Sequence, residues 1–296
     1  MALTHPDRVL FPDEGITKGQ VVRYYARIAA VMLPHLRGRP LTLQRFPEGI
    51  AGSGFFMKDA PDHFPDWIRT AEVPRRSKGG RIHQVFLCED PAGLVYLANQ
   101  GTLTFHVWPA RADDLDHPDL LVLDLDPPQG GRLGALRDAA RAVRAVLRDL
   151  GLVPYLQTTG SRGYHVVAPL DRSADFDRTH ALARRVADLL ARRHPDQLTT
   201  AQRKDRRGHR LFLDTNRNAY AQTFAAPYSL RPRPGAPVAT PLDWDELGRV
   251  EPGRYTLTNL FRRLGQKDDP WGDLHQHGRG LGDAEDRLAV LERDAS

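Results

Sequence analysis

Residues 120–128 read Leu-Leu-Val-Leu-Asp-Leu-Asp-Pro-Pro, an apolar strand that closes on two aspartates and two prolines. In a strand, residues i and i+2 point the same way, so Asp124 and Asp126 project side by side. Two adjacent carboxylates repel unless one is protonated or a cation bridges them. At the end of an apolar strand they form a natural oxygen-ligand site for Mg²⁺ or Mn²⁺. Pro127 and Pro128 end the strand there, which sets the pair at a sheet margin. The plainer reading of so short a pattern is a strand end whose acids hydrogen-bond the following turn.

Working outward, Leu133–Leu150 has helical spacing of Leu136, Val143, Val146, Leu147 and Leu150, and Gly151 stops it. Strands at Val153–Thr158 and Tyr164–Ala168 bracket a tight turn, and a helix from Phe176 to Arg193 closes at Pro195. Arg210–Asp214 repeats the opening form, an apolar strand ending on an aspartate. Toward the N-terminus, Thr102–Trp108 alternates, with Leu103, Phe105 and Val107 on one face and Thr104, His106 and Trp108 on the other. Asp90-Pro91 starts a short helix that Gly101 ends, and Ile82–Cys88 and Pro40–Phe46 read as strands. Thr17 and Gln20 form a capping box ahead of Val21, Tyr24, Tyr25, Ile28 and Met32. The stretch 47–77 reads as irregular. Pro232, Pro234, Pro237 and Pro241 mark an extended connection, and after Gly265 the chain turns polar until a short terminal helix. Strands alternate with helices, so the class is mixed α/β.

The 296 residues suffice for one large domain or two lobes. Cys88 is the sole cysteine, which excludes an internal disulfide and a cysteine zinc site and points to the reducing cytosol. No apolar run approaches a membrane span, and no secretion leader is visible. The net charge of +5 favours an anionic partner. Its distribution says more. Residues 203–210, RKDRRGHR, carry five bases and one acid, and residues 75–81, RRSKGGR, carry four bases, whereas residues 113–126 hold six aspartates. That separation suits a polyanion path beside a metal-binding spot, although either basic run alone also fits solvated loop surface.

Phosphoryl transfer by two metals needs several carboxylates, and Asp124, Asp126 and Asp214 supply three if their strands are neighbours. Between them, Thr158-Thr159-Gly160-Ser161-Arg162-Gly163-Tyr164-His165 offers glycines, hydroxyls, a charge and a histidine, the makings of a triphosphate cradle or of a plain Gly-rich hairpin. Arg217 and Arg231 are candidate phosphate partners. His106 gains weight through its company alone. Phe55 and Phe56, followed by Lys58, are either base-stacking aromatics or buried loop anchors.

Taken together, the ordered motifs resemble the polymerase domain of bacterial DNA ligase D, within the archaeo-eukaryotic primase superfamily. They are THPDRVLFP at 4–12, GITKG at 15–19, FFMKDAP at 55–61, HVW at 106–108, LVLDLDP at 121–127, TTGSRGYHV at 158–166, LFLDTNRN at 211–218 and APYSLRPRPGAPVATPLDWDEL at 226–247. The resemblance implies a primase-type fold, with an RRM-like catalytic sheet and a second α/β lobe intimately packed within residues 1–267, and a polar tail at 268–296. It implies Mn²⁺ or Mg²⁺, two ions in all, at Asp124, Asp126 and Asp214. His106, Thr159, His165, Arg217 and Arg231 would bind the nucleoside triphosphate, beside Ser161 and Arg162. Phe55 and Phe56 would stack at the template, with Lys58 near them and Arg206 and Arg207 on a mobile loop. His5, Arg8 and Lys18 would hold a downstream 5′-phosphate. The implied substrate is DNA with gaps or 3′ overhangs. The implied activity is nucleotidyl transfer favouring ribonucleotides, in end joining on the nucleoid with Ku and a DNA ligase as partners.

The sequence departs from the family at Thr159, where serine is common, and at His5 and Arg8, where Asn and Lys are common. It contains no Lys-x-Asp-Gly ligase motif, as expected of a stand-alone polymerase or an excised domain. Two rival readings remain at this level. A haloacid-dehalogenase-type phosphatase also places D-x-D after an apolar strand, but it expects Thr or Val where Pro128 stands. A DNA-end-binding module without activity would keep the fold.

Overall fold

Residues 2–74 and 82–294 are described by the structure, a computed structural model; the basic run at 75–81 lies outside them. The chain divides into two units. The first comprises Met1–Leu115, Thr223–Thr240 and Gly253–Asp269, and the second comprises Asp116–Gln222, Pro241–Pro252 and Pro270–Ser296. In chain order the first unit supplies β1 (Val9–Phe11), β2 (Ile16–Thr17), α1 (Lys18–Leu36), β3 (Leu41–Arg45), β4 (Phe55–Met57), β5 (Thr70–Pro74), β6 (Ile82–Phe86), α2 (Pro91–Asn99) and β7 (Thr102–Val107). The second supplies β8 (Leu120–Asp126), α3 (Leu133–Asp149), β9 (Tyr155–Thr158), β10 (Tyr164–Pro169), α4 (Phe176–Arg193), β11 (Leu198–Thr199) and β12 (Leu211–Asp214). The chain then returns to the first unit for β13 (Phe224–Ala225), to the second for β14 (Pro241–Leu242), and to each again for α5 (Leu260–Leu264) and α6 (Gly282–Arg293).

In the first unit the sheet order is β13-β7-β3-β6-β5, with β4 added to β3. The capping box that starts α1 is reciprocal: Gln20 N–H donates to Thr17 Oγ1 at 3.4 Å, and Thr17 N–H donates to Gln20 Oε1 at 2.7 Å. Val21, Tyr25, Ile28 and Met32 are fully buried, as their spacing predicts, and Tyr25 meets Phe105 of β7 edge-on at 5.0 Å. The second face of β7 is buried too. Thr104 is inaccessible, and its hydroxyl donates to Leu230 O at 2.7 Å.

Two stretches differ from the sequence reading. Residues 47–77 are not wholly irregular, because β4 pairs with β3 and β5 pairs with β6. β4 has three residues, none of them buried, and β5 buries one side chain of five, so neither shows an apolar alternation. The proline-rich stretch 232–241 does not run extended. It doubles back through Gly235 at φ +86°, so that Leu230 bridges Val238 antiparallel.

In the second unit the sheet order is β11-β12-β8-β10-β9-β14, with β8 antiparallel to both neighbours. α3 and α4 pack on it through Val143, Leu147, Val186 and Leu190, all buried. The polar stretch after 268 is folded here. Trp271, Leu274, Leu281 and Leu288 are buried, and α6 packs on α4. Arg185 Nη2 of α4 meets Glu292 Oε2 at 2.7 Å, and Arg178 Nη2 meets Glu285 Oε2 at 2.7 Å.

Candidate active site

Strand register assembles the acids. Asp124 of β8 stands opposite Asp214 of β12 on one side and His165 of β10 on the other. Facing residues in a ladder share a sheet face, and Asp126 shares it as i+2. Gln157 of β9 stands opposite His165, so one polar row crosses four strands: Asp214, Asp124, His165, Gln157. The adjacency on which the three-carboxylate reading depended is thereby present.

Cations surround the acids, and Arg217 Nε donates to Asp124 Oδ2. His165 Nε2 lies 3.6 Å from Asp124 Oδ1, and Arg217 Nε lies 3.4 Å from Asp124 Oδ2. Arg217 Nη2 is 3.7 Å from Asp214 Oδ2. Arg162 Nη2 and Arg207 Nη1 approach the two Asp126 oxygens at 3.7 and 3.6 Å. These separations exceed the 2.7–2.9 Å typical of a charge-assisted hydrogen bond. Burial alone pushes the Asp124 carboxyl up, but His165 and Arg217 together outweigh it and hold it below the ordinary carboxylate value. Asp126 moves the other way. Burial and the neighbouring Asp124 charge raise it more than Arg162 and Arg207 lower it. The two neighbours are thus pushed in opposite directions, and three hard oxygens side by side suit a donor set for a divalent cation.

Among the described residues, the acids whose carboxylate oxygens all lie within 4.8 Å of one another are Asp243, Asp245 and Glu246. That spacing could hold a metal ion, but it has a local cause. Asp243 caps the turn Trp244–Glu246, and its N–H donates to Glu246 Oε2 at 2.9 Å.

Three local devices position the groups. The turn between β9 and β10 is a tight hairpin, and the Thr159 hydroxyl is its pivot: it accepts from Ser161 N–H at 3.3 Å and Gly163 N–H at 3.2 Å and donates to Gly163 O at 3.1 Å. Gly163 is required there, because a Cβ would sit 2.1 Å from Leu125 O of β8. Ser161 and Arg162 are carried at the rim, with half of the Arg162 side chain exposed. After β12, Asp214 Oδ1 accepts from Asn216 N–H at 2.9 Å, so the aspartate both turns the chain and faces Arg217. The third device is Asn218, to which sequence reasoning gave no role. It is fully buried, accepts from Val122 N–H at 2.7 Å and donates to Val122 O at 2.7 Å and Thr215 O at 2.9 Å. Its amide continues the ladder on β8 where the β12 backbone departs, and it locks the turn that carries Arg217. Only the tertiary pairing shows this; in sequence it is one more loop asparagine.

Arg207 lies 3.6 Å over the Phe212 ring, and its Nε and Nη2 donate to Ala201 O and Gln202 O at 3.0 and 2.9 Å. Arg206, next in sequence, is exposed.

In the first unit, Phe55 and Phe56 are both exposed on β4, at 45% and 59%. Strand alternation sends them to opposite faces, so they do not form one stacking pair. Phe56 meets His106 edge-on at 5.6 Å, while Phe55 lies under Arg45 at 5.4 Å. Lys58 is exposed, and Arg231 is half-buried with its N–H donating to Pro237 O at 2.8 Å. Lys18 is buried, and Nζ donates to Thr4 Oγ1 at 2.7 Å. Its burial, then Arg8 and Arg45, push its ammonium down. Arg8 is paired with Glu48 at 2.6 Å, and His5 is exposed at φ +48°. The first-turn amides of α1 are taken: Lys18 N–H donates to Arg8 O and Gly19 N–H to Pro6 O, each at 2.8 Å. An anion at this end therefore depends on side chains, not on free helix N–H groups.

Among the described residues, no helix is long and apolar enough to cross a membrane. Residues 17–271 match the family described as the primase-polymerase domain of LigD. The chain is 38% identical over 274 residues to the multifunctional non-homologous end joining protein LigD of Mycolicibacterium smegmatis, covering 92% of this chain and 35% of that protein. It is 38% identical over 306 residues to the LigD of Mycobacterium tuberculosis, covering 100% of this chain and 39% of that protein. The chain thus spans little more than a third of these relatives. The solved polymerase domain of Mycobacterium tuberculosis ligase D, in complex with DNA, superposes with a TM-score of 0.87 at 34% identity, covering 94% of this chain and 99% of that one. The family match removes the phosphatase reading. With three acids registered on one sheet face and this family's pattern over most of its length, the chain belongs to the LigD primase-polymerase domain family, nucleotidyltransferases whose chemistry suggests divalent-metal use.

Proposed function

We propose that the protein is a DNA-dependent nucleotidyltransferase that fills gaps or extends ends during non-homologous end joining, with Ku and a DNA ligase as partners, and that it acts on the nucleoid. Residues 1–267 are the polymerase body, and 270–294 pack within the second unit through Trp271 and α6. The single observation that carries the reading is the register placing Asp124, Asp126 and Asp214 on one face of one sheet. These carboxylates would hold two Mn²⁺ or Mg²⁺ ions, which when bound supply the charge that stabilises the transferring phosphate and activates the primer hydroxyl. In the reaction the primer 3′-oxygen bonds to the α-phosphorus, the bond to the β-phosphate oxygen breaks, and pyrophosphate leaves. Arg217 and His165, beside Asp124, bind phosphate oxygens of the nucleotide, and Arg162 and Ser161 reach them from the hairpin rim. His106 and Arg231, in the first unit, are nucleotide-binding candidates on the family resemblance.

Phe56 stacks at the template, with Lys58, Arg206 and Arg207 along the strand, and Arg8, Lys18 and His5 hold a downstream 5′-phosphate. A preference for ribonucleotides needs a polar partner for the 2′-hydroxyl. The Thr159 hydroxyl is committed to its turn, which favours His106 for that part. The test is primer extension on a gapped duplex with Mn²⁺ or Mg²⁺ and each nucleotide set. Template-directed, metal-dependent extension is the expected result. DNA binding without extension would favour an end-binding module instead.

A further inference from the structure

Trp67 differs from the other tryptophans. Trp108 and Trp271 are buried, and Trp244 donates to Pro154 O at 2.7 Å beneath the Arg144 guanidinium. Trp67 is 49% exposed, yet it is held in place. The turns on either side anchor it through buried Phe64 and Ile68, whose N–H groups donate to Pro61 O and Pro65 O at 3.0 and 2.9 Å. Its ring meets Tyr96 at 5.2 Å and 75°, and Tyr96 meets Phe64 at 5.3 Å and 84°. The result is an aromatic step with a buried foot and an open top. A single exposed aromatic needs no explanation by itself. Its ring partner Tyr96 is tied to a cation. Gln100 N–H donates to Tyr96 O at 3.0 Å, and Arg45 Nε donates to Gln100 O at 2.8 Å. Arg45 faces Phe55 and, with Arg8, acts on the Lys18 ammonium. Lys18, Arg45, Tyr96 and Trp67 all belong to the first unit, with Arg45 tied to Tyr96 through Gln100 and Tyr96 in ring contact with Trp67.

We propose that Trp67, backed by Tyr96, is a stacking platform for the terminal nucleobase of the downstream DNA strand, and this rests on the reading that Arg8 and Lys18 hold that strand's 5′-phosphate. The occupant follows from charge and shape together. A phosphodiester chain answers the cations, and a nucleobase answers an open indole face. Every base has a π-face, so stacking is sequence-tolerant, as an enzyme for arbitrary ends requires.

The test compares parent, Trp67→Phe and Trp67→Ala on a gapped duplex carrying a downstream 5′-phosphate and on the same primer–template without the downstream strand. Anisotropy gives the affinity gained from the downstream strand. Trp67→Ala should reduce that gain about fivefold or more, the range of one base–aromatic stack, and Trp67→Phe should retain most of it. The difference in acrylamide quenching between parent and Trp67→Phe isolates the Trp67 signal, which the gapped duplex should shield and the primer–template should not. Melting curves establish that both variants fold. An unchanged gain in a folded Trp67→Ala, or a Trp67 that the gapped duplex leaves open to quencher, overturns the platform and leaves the patch to a protein partner. A parent that extends primers but gains nothing from the downstream strand also overturns it while sparing the polymerase reading. A parent that does not extend at all removes that reading instead.

Discussion

Of the places where carboxylates meet arginines in the second unit, two differ in geometry. Between α4 and α6, Arg185 reaches Glu292 with two nitrogens, at 3.3 and 2.7 Å, and Arg178 grips Glu285 in the same way at 3.4 and 2.7 Å. On the sheet, the guanidinium and imidazole groups stop 3.4–3.7 Å from Asp124, Asp126 and Asp214. The helix pairs are finished interactions that hold α6 down. The sheet acids are crowded and only partly exposed, and strand register, not mutual attraction, brings them together. A fold that keeps repelling carboxylates side by side spends stability for a site, which is a recurrent trade at functional centres.

The comparison breaks most sharply at Asp124. Alanine there should lower primer extension by at least about a hundredfold, the scale for losing one preorganised electrostatic group, while gapped-duplex binding stays within a few-fold of the parent. Near-normal extension would remove the carboxylate mechanism. Asn218→Ala should come next. It leaves the Val122 amide and carbonyl without their partner, a loss of about 1–3 kcal/mol. By freeing the turn that carries Asp214 and Arg217 it should lower kcat more than it changes DNA affinity, read by melting and steady-state extension on the same preparation.

A third prediction separates the neighbours. Asp124 lies below its ordinary value, so its contribution is in place above the unfolded carboxylate range and is lost as pH falls through its folded value. Asp126 lies above, so its favourable form is protonated and stability declines as pH rises through its folded value. With chelator present at neutral pH, Asp126→Asn should therefore raise the melting temperature and Asp124→Asn should lower it. Shifts of one sign for both would show that register, not charge, governs this pair. The smallest effect belongs to the helices. Glu292→Gln should cost about 0.2–1 kcal/mol, diminish with salt and leave extension intact. Arg185 holds the Glu292 carboxyl below its usual value, so this contribution too disappears as the solution is acidified.

Much of this was legible beforehand. Both acid-terminated strands, the hairpin between them, the capped first helix and the amphipathic α3 and α4 follow from local pattern, since each is specified by residues a few positions apart. Phe55 and Phe56 show the limit. In sequence they read as base-stacking aromatics or buried anchors in an irregular stretch, and pairing of β4 with β3 sets them exposed on a strand, on opposite faces. Trp271 and Leu288 show it again, buried within a stretch whose composition reads as a polar tail.

By itself the sequence determined the chemistry on offer: three carboxylates ending apolar strands, a glycine-rich turn between two strands, and basic and aromatic residues in short motifs. Tertiary structure alone decided which of them meet. Asp124 and Asp214 are 90 residues apart in the chain and directly opposite in the ladder, and Asn218 bonds to Val122 across nearly the same separation. Register between distant strands depends on how the whole sheet pairs and packs, and no local window of sequence contains that information.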